Sequence, residues 1–243
     1  MNQDQERKLD MKVIGVPILT DNYAWIAYKA NQCVVVDPGE AAPIIQVIRD
    51  KEWTLTHILL THEHEDHIGG VSDLLEAFPG VIVFGPEEVK HLVHEVVGEG
   101  DVISILGEPF FILRLPGHTF EHIAYHGHHH LFSGDVLFAG GCGRVFTEDY
   151  LAQYSSLQRL KTLPDNTLVY AGHENTLTNL EFAQEAFADN EDIQLAIKQV
   201  QRLLESGLPT LPTALGQEKK INPFLLATDV EDFYQLRQRR DNF

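Results

Sequence analysis

Thr61-His62-Glu63-His64-Glu65-Asp66-His67 decides how this chain is read. Three histidines and an aspartate fall within six positions, directly after the apolar run Ile58-Leu59-Leu60. Such a run reads as a buried strand. Ile68-Gly69-Gly70 follows, and then Val71, Leu74, Leu75 and Phe78 recur at helical spacing. The motif is therefore expected on a strand-to-helix turn, where side chains can converge on a point. Neutral imidazole and carboxylate are the ligand set of zinc, iron and manganese sites. Spaced by two in an extended stretch, His62 and His64 should project to one side. Asp66 and His67 come where the chain begins to coil and can aim elsewhere. That arrangement suggests two metals.

Upstream, Val13-Ile14-Gly15-Val16, Tyr23-Ala24-Trp25-Ile26-Ala27 and Cys33-Val34-Val35-Val36 look like consecutive antiparallel strands. Asp21-Asn22 and Asn31-Gln32 supply the turns, and Asp37-Pro38-Gly39 stops the third strand. Ala42, Ile44, Ile45, Val47 and Ile48 fit a helix leading into the metal motif. A similar run starts at Val81-Ile82-Val83-Phe84, after which Pro86-Glu87-Glu88 opens a short helix. Strand-like segments follow at 102–105, 110–115, 122–125 and 131–132, then a helix over 150–163 and a strand over 167–170. Two such halves imply two sheets packed face to face with helices outside. After Thr176 the pattern turns helical, over 177–187, 193–204 and 230–240. A polar loop is expected from Gly207 to Phe224. The division predicted is a catalytic domain over 1–175 and a helical substrate-binding domain over 176–243.

Three further ligand-type residues sit on glycine-bearing turns after apolar runs: His118 in Pro116-Gly117-His118-Thr119, Asp135 in Ser133-Gly134-Asp135, and His173 in Ala171-Gly172-His173-Glu174. Taken alone, each is an ordinary turn residue; the motif at 61–67 is what raises them. The repeated pattern puts a ligand-type side chain at the same edge of a sheet each time. Other histidines are discounted. His57 lies in a strand, and His91 and His94 read as a pair on a helix surface. His122 reads as a supporting or core residue. His126, His128, His129 and His130 surround Gly127 at what should be a solvated hairpin tip.

The chain has 243 residues, enough for a large core. Lys+Arg 18 against Asp+Glu 36 gives a net charge of −18, which argues against non-specific nucleic-acid binding. The stretch from Met1 to Asp10 lacks the apolar centre of a signal peptide, and no apolar run approaches transmembrane length. Two cysteines, Cys33 and Cys142, imply no disulfide framework. A cytoplasmic monomer, with neither nucleic-acid nor membrane partner, is the expectation.

THxHxDHxGG followed by PGHT, SGD and GHE resembles the metallo-β-lactamase superfamily of binuclear hydrolases. Within it the chain is similar to the glyoxalase II (hydroxyacylglutathione hydrolase) family. That similarity extends to Asp21-Asn22-Tyr23, Val36-Asp37-Pro38-Gly39, the glycine loop Phe138-Ala139-Gly140-Gly141-Cys142-Gly143-Arg144, Ile221-Asn222-Pro223-Phe224 and the closing 236–243. The resemblance implies an α/β (α+β) class: an αββα four-layer metallo-β-lactamase-like sandwich with a small C-terminal helical domain. It implies that His62, His64 and His118 hold one divalent metal, and Asp66, His67 and His173 another. Asp135 would bridge them with a hydroxide, and Asp66, mainly a ligand, could assist in proton handling. Zinc is the first expectation for the metals, with iron or manganese as alternatives.

The activity so implied is hydrolysis of S-(2-hydroxyacyl)glutathione, typically S-D-lactoylglutathione, to glutathione and D-lactate, the second step of methylglyoxal detoxification. Arg144, Phe146, Asn175, Arg237 and Arg240 match substrate-contact positions, although a basic last turn also offsets the dipole of the final helix. The chain departs from the family at Asn175, where tyrosine is usual, at Thr147-Glu148, where Glu-Gly is usual, and at Glu121, where glycine is common. The alternatives are a hydrolase of another thioester or a lactone, and a mononuclear-iron persulfide dioxygenase.

Overall fold

A computed structural model describes residues 10–243. Met1 to Leu9, which hold most of the polar N-terminal stretch, lie outside the described residues. The chain divides into two compact units, residues 1–113 and 114–243.

In the first unit, β1 (Lys12–Ile18), β2 (Asn22–Lys29) and β3 (Gln32–Val36) form an antiparallel meander. From β3 the sheet becomes parallel through β4 (Thr54–Leu59), β5 (Ile82–Gly85) and the two-residue β6 (Glu95–Val96). The strand order is β1-β2-β3-β4-β5-β6. Parallel strands need crossovers. Helix α1 (Ala42–Asp50) makes the one from β3 to β4, and α2 (Glu65–Ile68) with α3 (Val71–Ala77) makes the next. Central strands covered on both faces read as unbroken apolar runs, and Cys33, Val34, Val35 and Val36 are all buried. Ile44 and Ile48 of α1 and Leu74 of α3 pack into that core. The metal motif starts where β4 ends, at the carboxyl edge of the parallel part of the sheet, where open α/β sheets place their ligands. β7 (Val102–Ile105) and β8 (Glu108–Arg114) form an antiparallel hairpin.

The second unit holds another mixed sheet. β9 (Ile123–Gly127) pairs antiparallel with β10 (His130–Gly134), β10 pairs parallel with β11 (Leu168–Ala171), and the short β12 (Thr213–Ala214) edges it antiparallel. Helix α4 (Tyr150–Lys161) lies in the crossover from β10 to β11. Its first turn is capped by Asp149, which accepts from Ala152 N–H at 2.9 Å. Helices α5 (Thr176–Ala186) and α6 (Glu191–Glu205) bury Leu180, Ala183, Ile193 and Ile197 against each other.

Residues 215–224, expected as part of a polar loop, lie in helices α7 (Leu215–Ile221) and α8 (Pro223–Leu226). The helical pattern there is masked because the buried position between Leu215 and Ile221 is a carboxylate, Glu218. The final helix α9 (Val230–Asp241) buries Phe233 and Leu236. His91 and His94 lie not on a helix but in turn structure after a three-residue 3₁₀ segment, Glu87–Val89. There His94 Nδ1 accepts from Val83 N–H at 3.1 Å. No described helix is long and apolar enough to cross a membrane.

Candidate metal centre

In the first unit the chain bends at His62 and Glu63, is extended at His64 (φ −66°, ψ 140°) and coils into α2 at Glu65. His62 and His64 do project to one side: His62 Nε2 and His64 Nδ1 face each other at 3.1 Å, with the rings edge to face. A carboxylate absent from the expected ligand set organises them. Asp37, 3% exposed, accepts from Thr61 N–H at 2.8 Å and from the Thr61 hydroxyl at 2.7 Å. It also accepts from His67 Nδ1 at 3.0 Å. Because the Thr61 hydroxyl donates to Asp37, its oxygen is left to accept from His62 Nδ1 at 2.9 Å. Asp37 thereby sets the tautomer of both His62 and His67 with the lone pair on Nε2, as a ligating imidazole requires. Asp37, His62 and His67 could by proximity form a cation site of their own. With both its oxygens committed to hydrogen bonds, however, Asp37 orients rather than ligates.

Asp66 sits on the first turn of α2. Its Oδ2 accepts from Asn22 Nδ2 at 2.9 Å and lies 3.7 Å from His67 Nε2. Gly39 is required here because a Cβ at that position would run into the Asp66 carbonyl.

In the second unit the other three candidates converge on one oxygen. Asp135 Oδ2 lies 3.5 Å from His118 Nε2 and 3.2 Å from His173 Nε2. His118 Nδ1 donates to the Arg144 carbonyl at 2.7 Å, again leaving Nε2 with the lone pair. Asp135 N–H donates to His122 Nε2 at 3.2 Å, which puts His122 in a supporting place. Gly143 N–H donates to the Asp135 carbonyl at 3.0 Å. A Cβ on Gly143 would collide with that carbonyl and with His118 Nδ1, so only glycine allows this approach. Cys142 belongs to none of the candidate cation groups among the described residues, and burial pushes its thiol up to about 11.

The expected substrate contacts gather in the second unit as well. Arg144 lies 3.6 Å from Asp241, and its side chain is 65% exposed. Phe146, also exposed, stands edge-on to the His118 ring. Arg240 donates through Nε and Nη2 to Asn179 Oδ1 at 3.3 and 3.1 Å. Burial, then the charge of Arg237, presses the Arg240 guanidinium below its ordinary pKa. Arg237 differs from the other two: it is 4% exposed, donates to the Cys142 carbonyl and to Asp241, and lies over the Phe224 ring. Its place is behind the cationic surface, bracing the glycine loop. The histidine-rich turn is the hairpin tip expected of it, with His128 and His129 at positive φ and His130 bonded to the Tyr170 hydroxyl.

A family model for the metallo-β-lactamase superfamily matches residues 19–173, and one for the hydroxyacylglutathione hydrolase C-terminus matches 174–243. A hydroxyacylglutathione hydrolase of Haemophilus ducreyi is 42% identical over 234 residues, spanning 96% of this chain and all of its own. The chain belongs to the hydroxyacylglutathione hydrolase family. The superfamily fold extends to solved structures. ETHE1 from Myxococcus xanthus matches with a TM-score of 0.71 and 25% identity, over 94% of this chain and 90% of that one. TTHA1623, solved in a di-iron-bound form, matches with a TM-score of 0.64 and 26% identity, over 87% and 100%. The α/β fold with a C-terminal helical part is therefore that of the metallo-β-lactamase superfamily, and with its histidine–aspartate cluster it implies bound divalent metal ions. The donor set fits them: imidazoles held through one ring nitrogen by an oxygen, with the other nitrogen turned towards fellow donors.

Of the residues expected to depart from the hydroxyacylglutathione hydrolase pattern, Glu121, Thr147 and Asn175 each find a local partner, while Glu148, where glycine is expected, takes a left-handed φ of 60°. Glu121 turns to Arg114, with contacts of 2.6 and 2.8 Å, and the guanidinium holds its carboxyl below the usual range. The Thr147 hydroxyl donates to the Gly117 carbonyl at 2.6 Å, bracing the turn that carries His118. Asn175 Oδ1 accepts from Asn179 Nδ2 at 2.8 Å, so it supports the residue that holds Arg240.

Proposed function

We propose that this chain hydrolyses S-(2-hydroxyacyl)glutathione, typically S-D-lactoylglutathione, to glutathione and the 2-hydroxy acid, the second step of methylglyoxal detoxification. The observation that carries this reading is the full-length similarity to hydroxyacylglutathione hydrolases, which includes the C-terminal helical part as well as the metal-ligand motif. The ligand sets are those the family pattern implies: His62, His64 and His118 for one cation, Asp66, His67 and His173 for the other, with Asp135 shared. The metals are two per chain, zinc by first choice and iron or manganese otherwise; the di-iron form of TTHA1623 supports the count. Residues 1–175 act as the catalytic domain and 176–243 as the helical domain that takes part in substrate binding. The match of separate family models to 19–173 and 174–243 supports that division. The working form is a cytoplasmic monomer.

Bound divalent cations supply Lewis acidity, lowering the pKa of a water towards neutrality and withdrawing electron density from the thioester carbonyl. The chain's own residues do the rest. Asp37, through Thr61, and the Arg144 carbonyl keep the histidine lone pairs aimed at the site. Water adds to the acyl carbon and gives its protons up to solvent, the carbon–sulfur bond breaks, and the hydroxy acid and glutathione leave as carboxylate and thiolate. A thiol pKa of about 8.5 makes that departure possible without a strong acid, in keeping with the lack of an obvious general acid among these residues. Glutathione is anionic, and in a chain of net charge −18 the cationic surface of Arg144 and Arg240 is where its carboxylates can be held. Arg237 and Asn179 act from behind that surface.

The assay is hydrolysis of S-D-lactoylglutathione by metal-loaded protein with and without a chelator. Turnover that the chelator abolishes is expected. No turnover by loaded protein would remove the substrate assignment, and lactone turnover in its place would favour the other hydrolase reading. Arg240→Lys keeps the charge but loses the paired bonds that Nε and Nη2 make to Asn179 Oδ1. It is expected to raise KM about tenfold, the cost of roughly one charged hydrogen bond, with kcat within about twofold. A fall in kcat at constant KM would contradict that role.

A further inference from the structure

The glycine loop from Phe138 to Gly143 runs through the interior, with Phe138, Ala139 and Cys142 buried. Buried backbone groups must find partners, and here side chains of the helical segment supply them in succession. Asn222 Nδ2 donates to the Phe138 carbonyl at 3.2 Å and to the Gly141 carbonyl at 2.9 Å. Asn179 Nδ2 donates to the Ala139 carbonyl at 3.1 Å. Gly140 N–H donates to Glu218 Oε2 at 2.8 Å, and Arg237 donates to the Cys142 carbonyl at 2.8 Å. The loop then passes its position on: Gly143 N–H bonds the Asp135 carbonyl, and the Arg144 carbonyl takes His118 Nδ1.

Glu218 is the centre of this arrangement. It is fully buried on α7, and its partners are neutral: Gly140 N–H, the Thr213 hydroxyl at 2.8 Å and the Asn222 amide at 3.0 Å. Burying a carboxyl group without a cation is costly, and burial pushes the Glu218 carboxyl above its ordinary range. Two adjacent acceptor oxygens, one for the loop and for Asn222 and the other for Thr213, are what a carboxylate offers at this point.

We propose that Glu218, together with Asn222, is a positioning residue of the metal centre: it fixes the glycine loop, and through that loop holds Asp135 and His118 where they can ligate. The inference rests on the ligand assignment given under Proposed function. The helical segment would then serve metal binding as well as substrate binding.

The test uses full-length protein stripped of metal and reloaded with Co²⁺. Affinity is read by competition with a chromophoric chelator, the ligand field from the visible spectrum, and stability from Tm. Glu218→Ala is expected to weaken Co²⁺ binding about 10–100-fold, the usual loss for an outer-shell partner, and to change the spectrum. Glu218→Gln should recover binding to within about threefold of wild type. Its amide oxygen can serve Gly140 and Asn222, while its NH₂ donates to the Thr213 hydroxyl. Ile197→Ala, in the core between α5 and α6, should lower Tm but leave affinity and spectrum as in wild type. If Glu218→Ala does not fold, Thr213→Val takes its place, with a smaller shift in the same direction expected. Wild-type affinity and spectrum in the Glu218 or Thr213 variant would overturn the inference alone, as would an equal loss in Ile197→Ala. Wild-type protein that takes up no Co²⁺ would overturn the ligand assignment and the inference with it.

Discussion

Asp135→Ala is expected to lower kcat/KM for S-D-lactoylglutathione by on the order of 10³-fold, about 4 kcal/mol of transition-state stabilisation. The expectation follows from where the carboxylate sits. Its Oδ2 is within 3.5 Å of His118 Nε2 and 3.2 Å of His173 Nε2, two donors assigned to different cations. A ligand shared between sites acts on both at once, so its loss should exceed the 10–100-fold typical of an outer-shell partner. The residue is 5% exposed and has no role in the apolar core, so the variant should fold. Measured together, kcat, KM and metal content separate the possibilities. Loss of kcat with loss of metal is the predicted pattern. A variant that keeps its metals and loses less than tenfold would show that Asp135 is not the shared ligand.

Asp37→Asn is expected to weaken metal binding about 10–100-fold and to destabilise the fold by about 3 kcal/mol. In wild type one carboxylate accepts from Thr61 N–H, the Thr61 hydroxyl and His67 Nδ1. Asparagine keeps one acceptor oxygen but turns an NH₂ towards the other donors, so a buried donor faces a donor. Relief requires the Thr61 hydroxyl or the His67 ring to turn over, which disturbs the tautomer that leaves Nε2 free to ligate. For a chain of this length about 3 kcal/mol corresponds to a Tm lower by roughly 6–12 °C. Thermal unfolding of the metal-free protein isolates the structural part, and Co²⁺ competition the ligating part. Unchanged metal affinity in a protein with lowered Tm would confine Asp37 to a structural role.

Much of this architecture is legible in the chain because it rests on local signals. The strands around 13–16, 23–27 and 33–36 are short apolar runs bounded by turn residues, and β1, β2 and β3 fall on them. His62 and His64 face each other across a bend at 62–63, and α2 begins at Glu65, beside Asp66 and His67, where the sequence reads as the onset of coiling. Asp37 reads in sequence only as a strand stop: nothing in its neighbourhood shows that it will meet Thr61 and His67, residues far along the chain. Glu218, Asn222 and Asn179 are hidden for the same reason. Each is a polar residue whose partners are backbone groups of a distant loop, and polar residues in sequence read as solvated. Glu218 also breaks the apolar spacing of its own helix, which is why 215–221 reads as loop. Arg237 shows the converse limit. A basic last turn reads as surface, yet Arg237 is buried against Cys142 and Phe224 while Arg144 remains exposed.

The two-metal centre is tested by titrating the metal-free chain with Zn²⁺ while S-D-lactoylglutathione hydrolysis is followed. Activity is expected to rise from near zero and level off at two equivalents per chain, with metal analysis giving the same number. A plateau at one equivalent, or a saturated protein that leaves the thioester intact, would contradict that centre.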